Sequence, residues 1–187
     1  MEEPASSRSP ESPLSDVVDG GTATLLFTDV IESTVLADEL GDQRWFRVLR
    51  QHNELLREQF ERHRGREIKG QGDGFMVAFS SARRGLQCAI DIQRAVQSQR
   101  WSDPEVSYHL RIGLHTGEVI TAEGDLFGRN VIMASRIAAL AGTDEILASD
   151  TTRQLADGTM EVEFGSTREV ELRGLAGRWT VHPVEWR

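Results

Sequence analysis

Two apolar segments near the middle of the chain are separated by a short run that holds three glycines in five residues. The whole stretch, residues 66–79, has the sequence R-E-I-K-G-Q-G-D-G-F-M-V-A-F. The Asp73-Gly74 dipeptide favours a tight turn, and the apolar run after it is typical of a short strand. The stretch therefore predicts a β-hairpin. Its tip carries one cation and one anion, Lys69 and Asp73, four residues apart.

A second apolar run also ends on a carboxylate. Residues 22–29 have the sequence T-A-T-L-L-F-T-D, which predicts a buried strand that stops at Asp29. Aspartates that end the strands of one small sheet can meet at its edge, where hard divalent cations bind oxygen ligands. Asp29 and Asp73 can equally be turn or cap residues, because aspartate is favoured there for local hydrogen bonding. The two strand ends alone leave both interpretations open.

Four short motifs, taken together and in order, favour the first interpretation. They are F-T-D-V-I-E-S-T at residues 27–34, I-K-G-Q-G-D-G-F at 68–75, L-R-I-G-L-H-T-G-E-V at 110–119 and G-D-L-F-G-R-N-V-I-M-A-S-R-I at 124–137. They closely resemble the catalytic domain of the class III nucleotidyl cyclases, the adenylyl and guanylyl cyclases, and most of all the bacterial adenylyl cyclases. The resemblance extends from about residue 21 to about residue 184, which is nearly the whole chain.

Length, charge and composition limit the class of protein. A chain of 187 residues can build one domain with a substantial core and is short for two. The net charge of −9 argues against a nucleic-acid or membrane-surface partner, because both are polyanionic. The single cysteine, Cys88, cannot form an intrachain disulfide, and no apolar run approaches the ~18 residues of a membrane span. We therefore expect a cytoplasmic protein.

The N-terminal segment differs in composition from the rest. Residues 1–19 hold three of the five prolines and five serines. Such a segment buries too little apolar surface to offset the entropy lost on ordering. We therefore expect a disordered lead over residues 1–19 and one catalytic domain over residues 20–187.

Hydrophobic spacing and turn signals give the order of the remaining elements. Helices are predicted after Ser33 and Thr34, from Asp42, after the cap Ser80, and over residues 128–141 and 150–155. Strands are predicted over residues 108–114, 118–122, 145–148, 161–164, 169–172 and 179–184. This order predicts an α+β fold, an antiparallel-rich sheet with packed helices. The resemblance implies the ferredoxin-like domain of the class III cyclases.

The resemblance implies a site with two divalent cations, Mg²⁺ or Mn²⁺. Asp29 and Asp73 match the two aspartates that hold these ions in the family, and the backbone carbonyl of Val30 is a further candidate ligand. In two-metal catalysis one ion offsets the negative charge that develops on the attacking 3′-hydroxyl, and the other stabilises the leaving pyrophosphate.

The residues directly after this motif are candidates for binding phosphate. The backbone of Ile31, Glu32, Ser33 and Thr34 is predicted to begin a helix, whose free N–H groups suit an anion. Glu32 stands where many relatives have glycine, so its carboxylate either lies near that anion or points to solvent.

Lys69 and Asp125 match the pair that contacts the base in adenylyl cyclases. Adenine presents an acceptor ring nitrogen and a donor amine, which an ammonium and a carboxylate complement. Guanine presents the opposite pattern, and guanylyl members usually carry other residue types at these positions. A pocket that hydrogen-bonds one base rejects the other, so we expect ATP as the substrate.

Three arginines match basic positions of the family. Arg136 corresponds to the arginine that neutralises charge at the α-phosphorus, and Arg111 and Arg173 to residues that contact the phosphates. Arg111 can equally be an ordinary strand arginine.

Where the family usually has an asparagine that orients the ribose, this chain has Ile132, and losing such a group could cost on the order of a hundredfold in rate. His115 is structural in the family, which leaves the general-base role to metal-bound hydroxyl, to Asp29 or to water.

The resemblance also implies an assembly. In these cyclases one chain supplies the metal aspartates and the other supplies the base-reading and transition-state residues. A chain that carries both halves implies a head-to-tail homodimer with two equivalent sites. We therefore expect an adenylyl cyclase that converts ATP to cyclic AMP and pyrophosphate. The alternatives are a weakly active or nucleotide-binding regulatory module, which Ile132 and Glu32 favour, a guanylyl cyclase, and a diguanylate cyclase, which the four motifs fit poorly.

Overall fold

The computed structural model of the chain describes residues 14–101, 103, 106–158 and 162–187. The described residues form five α-helices and nine strands. In chain order these are β1 (Thr22–Val30), α1 (Ser33–Leu40), α2 (Asp42–Arg62), β2 (Arg66–Gln71), β3 (Gly74–Phe79), α3 (Ala82–Ser98), β4 (Leu110–Glu118), β5 (Ile120–Ala122), β6 (Asp125–Phe127), α4 (Arg129–Leu140), β7 (Ile146–Ser149), α5 (Asp150–Ala156), β8 (Arg168–Glu171) and β9 (Arg178–Pro183).

Seven of the strands form one sheet in the order β2-β3-β1-β4-β7-β9-β8, and β5 and β6 form a separate two-stranded ribbon. Every neighbouring pair in the large sheet is antiparallel except β4 and β7, which are parallel. The predicted α+β fold with an antiparallel-rich sheet is therefore confirmed. No helix in the described part of the chain is long and apolar enough to cross a membrane.

Helices cover both faces of the sheet, because successive side chains of a strand point to opposite faces. Leu26 of β1 belongs to the large apolar cluster with Leu56 of α2 and Ile92 of α3. Its neighbour Leu25 packs in a second cluster with Ala134 of α4. Helices α2 and α3 thus lie on one face and α4 on the other. The buried apolar side chains of α2 form part of the first cluster.

The predicted hairpin forms, but its turn lies one residue earlier than the Asp73-Gly74 dipeptide suggested. Gln71 pairs with Gly74, so the two turn residues are Gly72 and Asp73. Gly72 has a φ of 63°, which fits the first central position of a type II′ turn, where glycine is favoured. Asp73 therefore sits in the turn itself, at the tip of the hairpin.

Part of the predicted disordered lead is folded. Residues 1–13 lie outside the described residues, but Leu14–Asp16 forms a 3₁₀-helix and Asp19 bridges to Thr22. Val17 is buried in the same cluster as Leu25. This buried side chain ties the segment to the core, so the described fold includes residues before residue 20.

Strand β4 differs most from its prediction. Two strands joined through residues 115–117 were expected, whereas β4 is continuous over Leu110–Glu118. It pairs with β1 over nine residues, from Val30 opposite Leu110 to Thr22 opposite Glu118. The backbone of the expected connection is thus used in the ladder, and only β5 turns away into the ribbon.

Smaller differences concern the helix starts and the C-terminal strands. Helix α1 is preceded by Glu32 and α3 by Ser81, and neither residue makes a side-chain cap hydrogen bond. In the strand predicted over residues 161–164, the first residue lies outside the described residues, and Phe164 forms only an isolated bridge to Val184. Pro104, at which the sequence also favours a loop after α3, lies outside the described residues.

Candidate active site

A cleft of about 560 Å³ opens between the end of β1, the β2-β3 hairpin and helix α4. Its lining includes four charged residues predicted for the site, Asp29, Lys69, Arg111 and Arg136. Ile132, which stands at the usual asparagine position, lines the same cleft and is 48% exposed. Residues from four separate parts of the sequence are thus brought to one depression.

The two predicted metal aspartates lie at the same end of two paired strands. Thr28 of β1 is opposite Phe75 of β3, so Asp29 lies beside the hairpin tip that holds Asp73. The pairing is reinforced by a side chain, because Phe75 N–H donates to Thr28 Oγ1 at 3.1 Å. Gly74 is needed here, since a Cβ at this position would lie 3.0 Å from the Thr28 carbonyl oxygen.

These two carboxylates fit a divalent cation. Asp73 Oδ2 is buried and has no hydrogen-bond partner among the described residues, which is costly for a polar atom and which a cation would relieve. The Asp29 side chain is 41% exposed at the cleft. No group of three or more His, Cys, Asp or Glu side chains in the described part of the chain is placed to hold a metal. Two carboxylates are nevertheless sufficient for Mg²⁺, which usually adds substrate phosphate oxygens and water.

The predicted phosphate-binding helix start is only partly available. Ile31 N–H donates to the His109 carbonyl oxygen at 2.9 Å, so it is not free for a phosphate. Glu32 has a φ of 55° and a ψ of 33°, the left-handed region that favours glycine. Helix α1 begins at Ser33, and in its first turn the N–H groups of Ser33 and Thr34 have no intrahelical acceptor.

The predicted base-reading residues contact each other. Lys69 Nζ lies 2.6 Å from Asp125 Oδ2, and the Lys69 side chain is 42% exposed. Asp125 is the first residue of β6, directly after a two-residue turn whose residues, Glu123 and Gly124, both have positive φ, as a type I′ turn requires. The ribbon therefore carries Asp125 to the hairpin that holds Lys69.

Asp125 is kept ionised by this arrangement. Partial burial alone would raise its pKa, but hydrogen bonds from Lys69 and from Leu126 N–H, together with the charge of Lys69, hold the pKa of Asp125 below its ordinary value. The Leu126 N–H donates to Asp125 Oδ1 at 2.7 Å. A carboxylate acceptor and an ammonium donor are thus available side by side near the cleft.

The guanidinium group of Arg136 contacts the backbone of Arg173 and not its side chain. Arg136 Nε donates to the Arg173 carbonyl oxygen at 3.2 Å. Arg136 lines the cleft, whereas the side chain of Arg173 is not part of that lining and belongs to the exposed loop 171–178. The structure therefore places Arg136 where a phosphate could reach it and leaves the phosphate role of Arg173 as a prediction.

Two glycines let α4 pack directly on β4 and so set the position of Arg136. A Cβ at Gly113 would lie 2.2 Å from the backbone nitrogen of Ala138, and one at Gly117 would lie 2.5 Å from Cγ of Asn130. Both distances are far inside van der Waals contact, so a larger residue at Gly113 would displace the backbone of α4 and one at Gly117 would displace the side chain of Asn130.

A hydrogen-bond chain that runs from the surface into the core fixes the start of α4. Asn130 Nδ2 donates to the Glu118 carbonyl oxygen at 2.8 Å, which turns Asn130 Oδ1 towards His115 Nε2 at 3.0 Å. His115 therefore carries its proton on Nε2, and its Nδ1 accepts from the Ser149 hydroxyl at 2.8 Å. Burial lowers the pKa of His115, with the Asn130 hydrogen bond opposing this. A neutral His115 thus ties α4 to β4 and β7, in the structural role that the family implies.

His52 contributes to the buried structure behind the site, although no sequence pattern had pointed to it. It is 1% exposed, and its Nδ1 lies 2.7 Å from the Tyr108 hydroxyl. Burial lowers the pKa of His52 to about 4, although the backbone of Asp73 favours its charged form. His52 is therefore a neutral core residue, and its ring lies 6.3 Å from the ring of Phe75 in β3. The available signal was its spacing, four residues from Val48 and from Leu56 on the buried stripe of α2.

Comparison with known proteins identifies the family to which the chain belongs. Residues 18–185 match the family model described as "Adenylate and Guanylate cyclase catalytic domain". The chain belongs to the class III nucleotidyl cyclase family. Asp29, Asp73, Lys69, Arg111 and Arg136 lie in the four motifs that predicted a class III cyclase domain, whereas Arg173 lies outside them.

Several curated relatives are adenylate cyclases. The chain is 31% identical to the adenylate cyclase of Mycosarcoma maydis over 160 residues, which covers 72% of this chain and 6% of that protein. It is 31% identical to the adenylate cyclase of Podospora anserina over 196 residues, which covers 84% of this chain and 9% of that protein. A relative from Rhizobium meliloti is 32% identical, and the chain covers 22% of it. The chain thus spans only a minor part of the length of these relatives.

Solved cyclase structures share the fold. A structure of adenylate cyclases from Trypanosoma brucei in their monomeric state superposes with a TM-score of 0.81 at 21% identity, covering 96% of this chain and 92% of that one. The adenylyl cyclase CyaB from P. aeruginosa superposes with a TM-score of 0.76 at 20% identity, covering 88% and 93%. The likeness establishes the class III cyclase fold for the whole described domain.

Proposed function

We propose that this class III cyclase domain is an adenylyl cyclase that converts ATP to 3′,5′-cyclic AMP and pyrophosphate. The observation that carries the proposal is the single cleft that collects Asp29, Lys69, Arg111 and Arg136. A carboxylate, an ammonium and two guanidinium groups in one depression match the needs of a nucleoside triphosphate, which is anionic at one end and hydrogen-bonding at the other.

Each residue has a role that follows from its position. Asp29 and Asp73 would hold two Mg²⁺ or Mn²⁺ ions, with the Val30 carbonyl as a further candidate ligand. Bound there, the ions supply charge compensation for the 3′-hydroxyl and the triphosphate. Arg136, which lines the cleft, would neutralise charge that develops on the α-phosphate. Ser33 and Thr34 offer backbone N–H groups to phosphate oxygens.

Lys69 and Asp125 would select adenine. Their 2.6 Å contact places a donor and an acceptor within the span of one base edge, so that adenine could bind by opening this pair and taking both hydrogen bonds. Guanine would leave each group facing another of its own kind, because it offers a ring N–H and a carbonyl where adenine offers an acceptor and an amine. Unpaired buried polar groups are the physical basis of such discrimination.

We further propose that the working form is a head-to-tail homodimer in which the clefts of the two chains face each other, so that the metal aspartates of one chain act with Lys69, Asp125 and Arg136 of the other. An exposed apolar pair supports an association surface beside the site. Ile120 and Phe127 are cross-strand partners on the ribbon and are 65% and 46% exposed. Adjacent exposed apolar side chains of this kind mark interaction surfaces more often than isolated ones do.

A second candidate function is a nucleotide-binding module with little turnover. Ile132 favours it, since the cleft has a hydrocarbon side chain where the family has a ribose-orienting amide. Purified chain incubated with ATP or GTP, and with Mg²⁺ or Mn²⁺, distinguishes the two when the cyclic products are resolved. We expect cyclic AMP from ATP. Nucleotide binding without any cyclic product would establish the second function, and cyclic GMP as the main product would establish a guanylyl cyclase.

The double variant Lys69→Glu with Asp125→Gly should shift the preference towards GTP. Glutamate would accept hydrogen bonds from the ring N–H and amine of guanine, and removal of the Asp125 carboxylate would take away an acceptor that faces the guanine carbonyl. A mismatched hydrogen-bonding pocket can lose up to ~10⁴-fold, so the ratio of kcat/KM for ATP and GTP should change measurably even with imperfect packing. An unchanged ratio in a variant with the parent melting temperature would remove the pair from the base-reading role.

A further inference from the structure

Arg111 is bound to one of the two metal aspartates. The residues are cross-strand partners, Asp29 on β1 opposite Arg111 on β4, so their side chains project from the same face of the sheet. Arg111 Nε donates to Asp29 Oδ2 at 2.8 Å, and the Nη2 group donates to the same oxygen. Position in the ladder therefore holds a full positive charge against the carboxylate.

The same guanidinium is anchored on its other side. Arg111 Nη1 donates to the Ala139 carbonyl oxygen at 3.3 Å. Ala139 lies in the last turn of α4, where carbonyl oxygens lack an intrahelical donor and the helix dipole favours a cation. The arginine thus bridges the end of α4 to Asp29 and lies between the helix that carries Arg136 and the strand that carries the metal ligand.

The two metal aspartates consequently differ. Asp29 has an arginine on one oxygen, whereas Asp73 Oδ2 has no hydrogen-bond partner among the described residues. A divalent cation bound to Asp29 would lie close to the positive charge of Arg111, which is bound to the same carboxylate. Two cations that share one carboxylate repel each other appreciably, even in partly exposed surroundings. A polyphosphate in the same cleft would offer this arginine an alternative partner of higher charge, with the bidentate geometry that guanidinium prefers.

We propose that Arg111 acts as a resident counter-ion of Asp29, which lowers the affinity of this carboxylate for divalent cations until a polyphosphate draws the guanidinium away. Arg111 then moves from the carboxylate to the phosphates while α4 continues to hold it nearby. This inference rests on the proposed function, since it takes Asp29 and Asp73 as the metal ligands. It adds that metal affinity at Asp29 is coupled to occupation of the cleft by the nucleotide.

The test is Mn²⁺ binding to the full chain without nucleotide, measured from the electron paramagnetic resonance signal of the free ion. Arg111→Gln should bind Mn²⁺ about tenfold more tightly than the parent, because it removes the repelling charge. Arg111→Lys keeps the charge but lacks the two-donor contact, so it should fall between the two and serves if Arg111→Gln does not fold. The control is Arg168→Gln, which removes an ion pair with Glu145 outside the cleft and should leave Mn²⁺ affinity unchanged.

The outcomes separate this inference from the proposed function. If Asp29→Asn or Asp73→Asn weakens Mn²⁺ binding but both Arg111 variants bind as weakly as the parent or more weakly, the counter-ion role is wrong and the metal site stands. If Mn²⁺ binding is insensitive to both aspartate variants, the metal site and the inference fail together. Tighter binding in Arg111→Gln that is lost again when Asp29→Asn is added would establish the proposal.

Discussion

Asp29→Ala and Asp73→Ala should each reduce cyclic AMP formation by about a thousandfold while leaving the fold intact. Both carboxylates lie at the end of paired strands and outside the apolar clusters, so truncation removes charge from the site without opening a core cavity. For Asp73→Ala we expect no fall in melting temperature, because the variant removes a buried carboxylate oxygen that lacks a partner among the described residues. Initial rates at saturating Mn²⁺ and thermal unfolding of the same preparations test both statements.

A matched control separates a specific from a general effect of acidic residues. Asp38→Ala removes an exposed aspartate from α1, close in sequence to Asp29 but outside the lining of the cleft, and should retain the parent rate. If Asp73→Ala turns over at a rate comparable to the parent under saturating metal, Asp73 is not a metal ligand. If it instead melts far below the parent, its role is in folding.

The hairpin, the helices and the fold class could be predicted because they depend on local signals, whereas the short strand β6 was not predicted. Glycine and aspartate mark turns, and the apolar spacing of α2 is helical over almost its whole length. The family motifs then placed these elements in a known domain. The position of the hairpin turn was not determined in the same way, since Gly72-Asp73 and Asp73-Gly74 are both acceptable turn pairs. Cross-strand pairing between Gln71 and Gly74 decided between them.

The sequence did not predict that β4 is continuous, because its central residues form a strand only through pairing with β1. The sequence H-T-G at residues 115–117 has weak strand character, and the glycine suggested a connection. In the structure β1 pairs along all nine residues of β4, and Gly117 is required for the approach of Asn130. Tertiary contacts therefore outweighed the local preference, as they commonly do in strands.

In the site, too, local sequence predicted some features and not others. The charged residues of the cleft could be predicted, because each one occupies a position that can be matched to the family motifs. The motifs could not show that Arg111 pairs with Asp29, which depends on strand register, or that Ile31 N–H is taken by His109, which depends on the chain entering β4. The Lys69–Asp125 contact required the ribbon to reach the hairpin. Pairing between distant segments is what the sequence alone does not display.

Mixing Asp73→Ala chains with Arg136→Ala chains should restore cyclic AMP formation that neither variant shows alone. If each site takes its metal ligands from one chain and its transition-state arginine from the other, a mixed dimer contains one site with both defects and one site with none. Random pairing of equal amounts makes half of the dimers mixed, so about one site in four is intact and the mixture should reach about a quarter of the parent activity. The restored activity should rise as the subunits exchange.

The control for this result is a mixture of Asp29→Ala with Asp73→Ala. Both variants damage the metal half of the site, so every site in every dimer inherits one defective metal half and the mixture should stay inactive. The contrast between the two mixtures therefore tests which residues share a half, and not merely whether chains associate. Differently tagged chains that co-purify would demonstrate exchange. An inactive Asp73→Ala and Arg136→Ala mixture in which exchange is demonstrated would show that each cleft works within one chain, since only a site built in cis leaves nothing for a partner to repair.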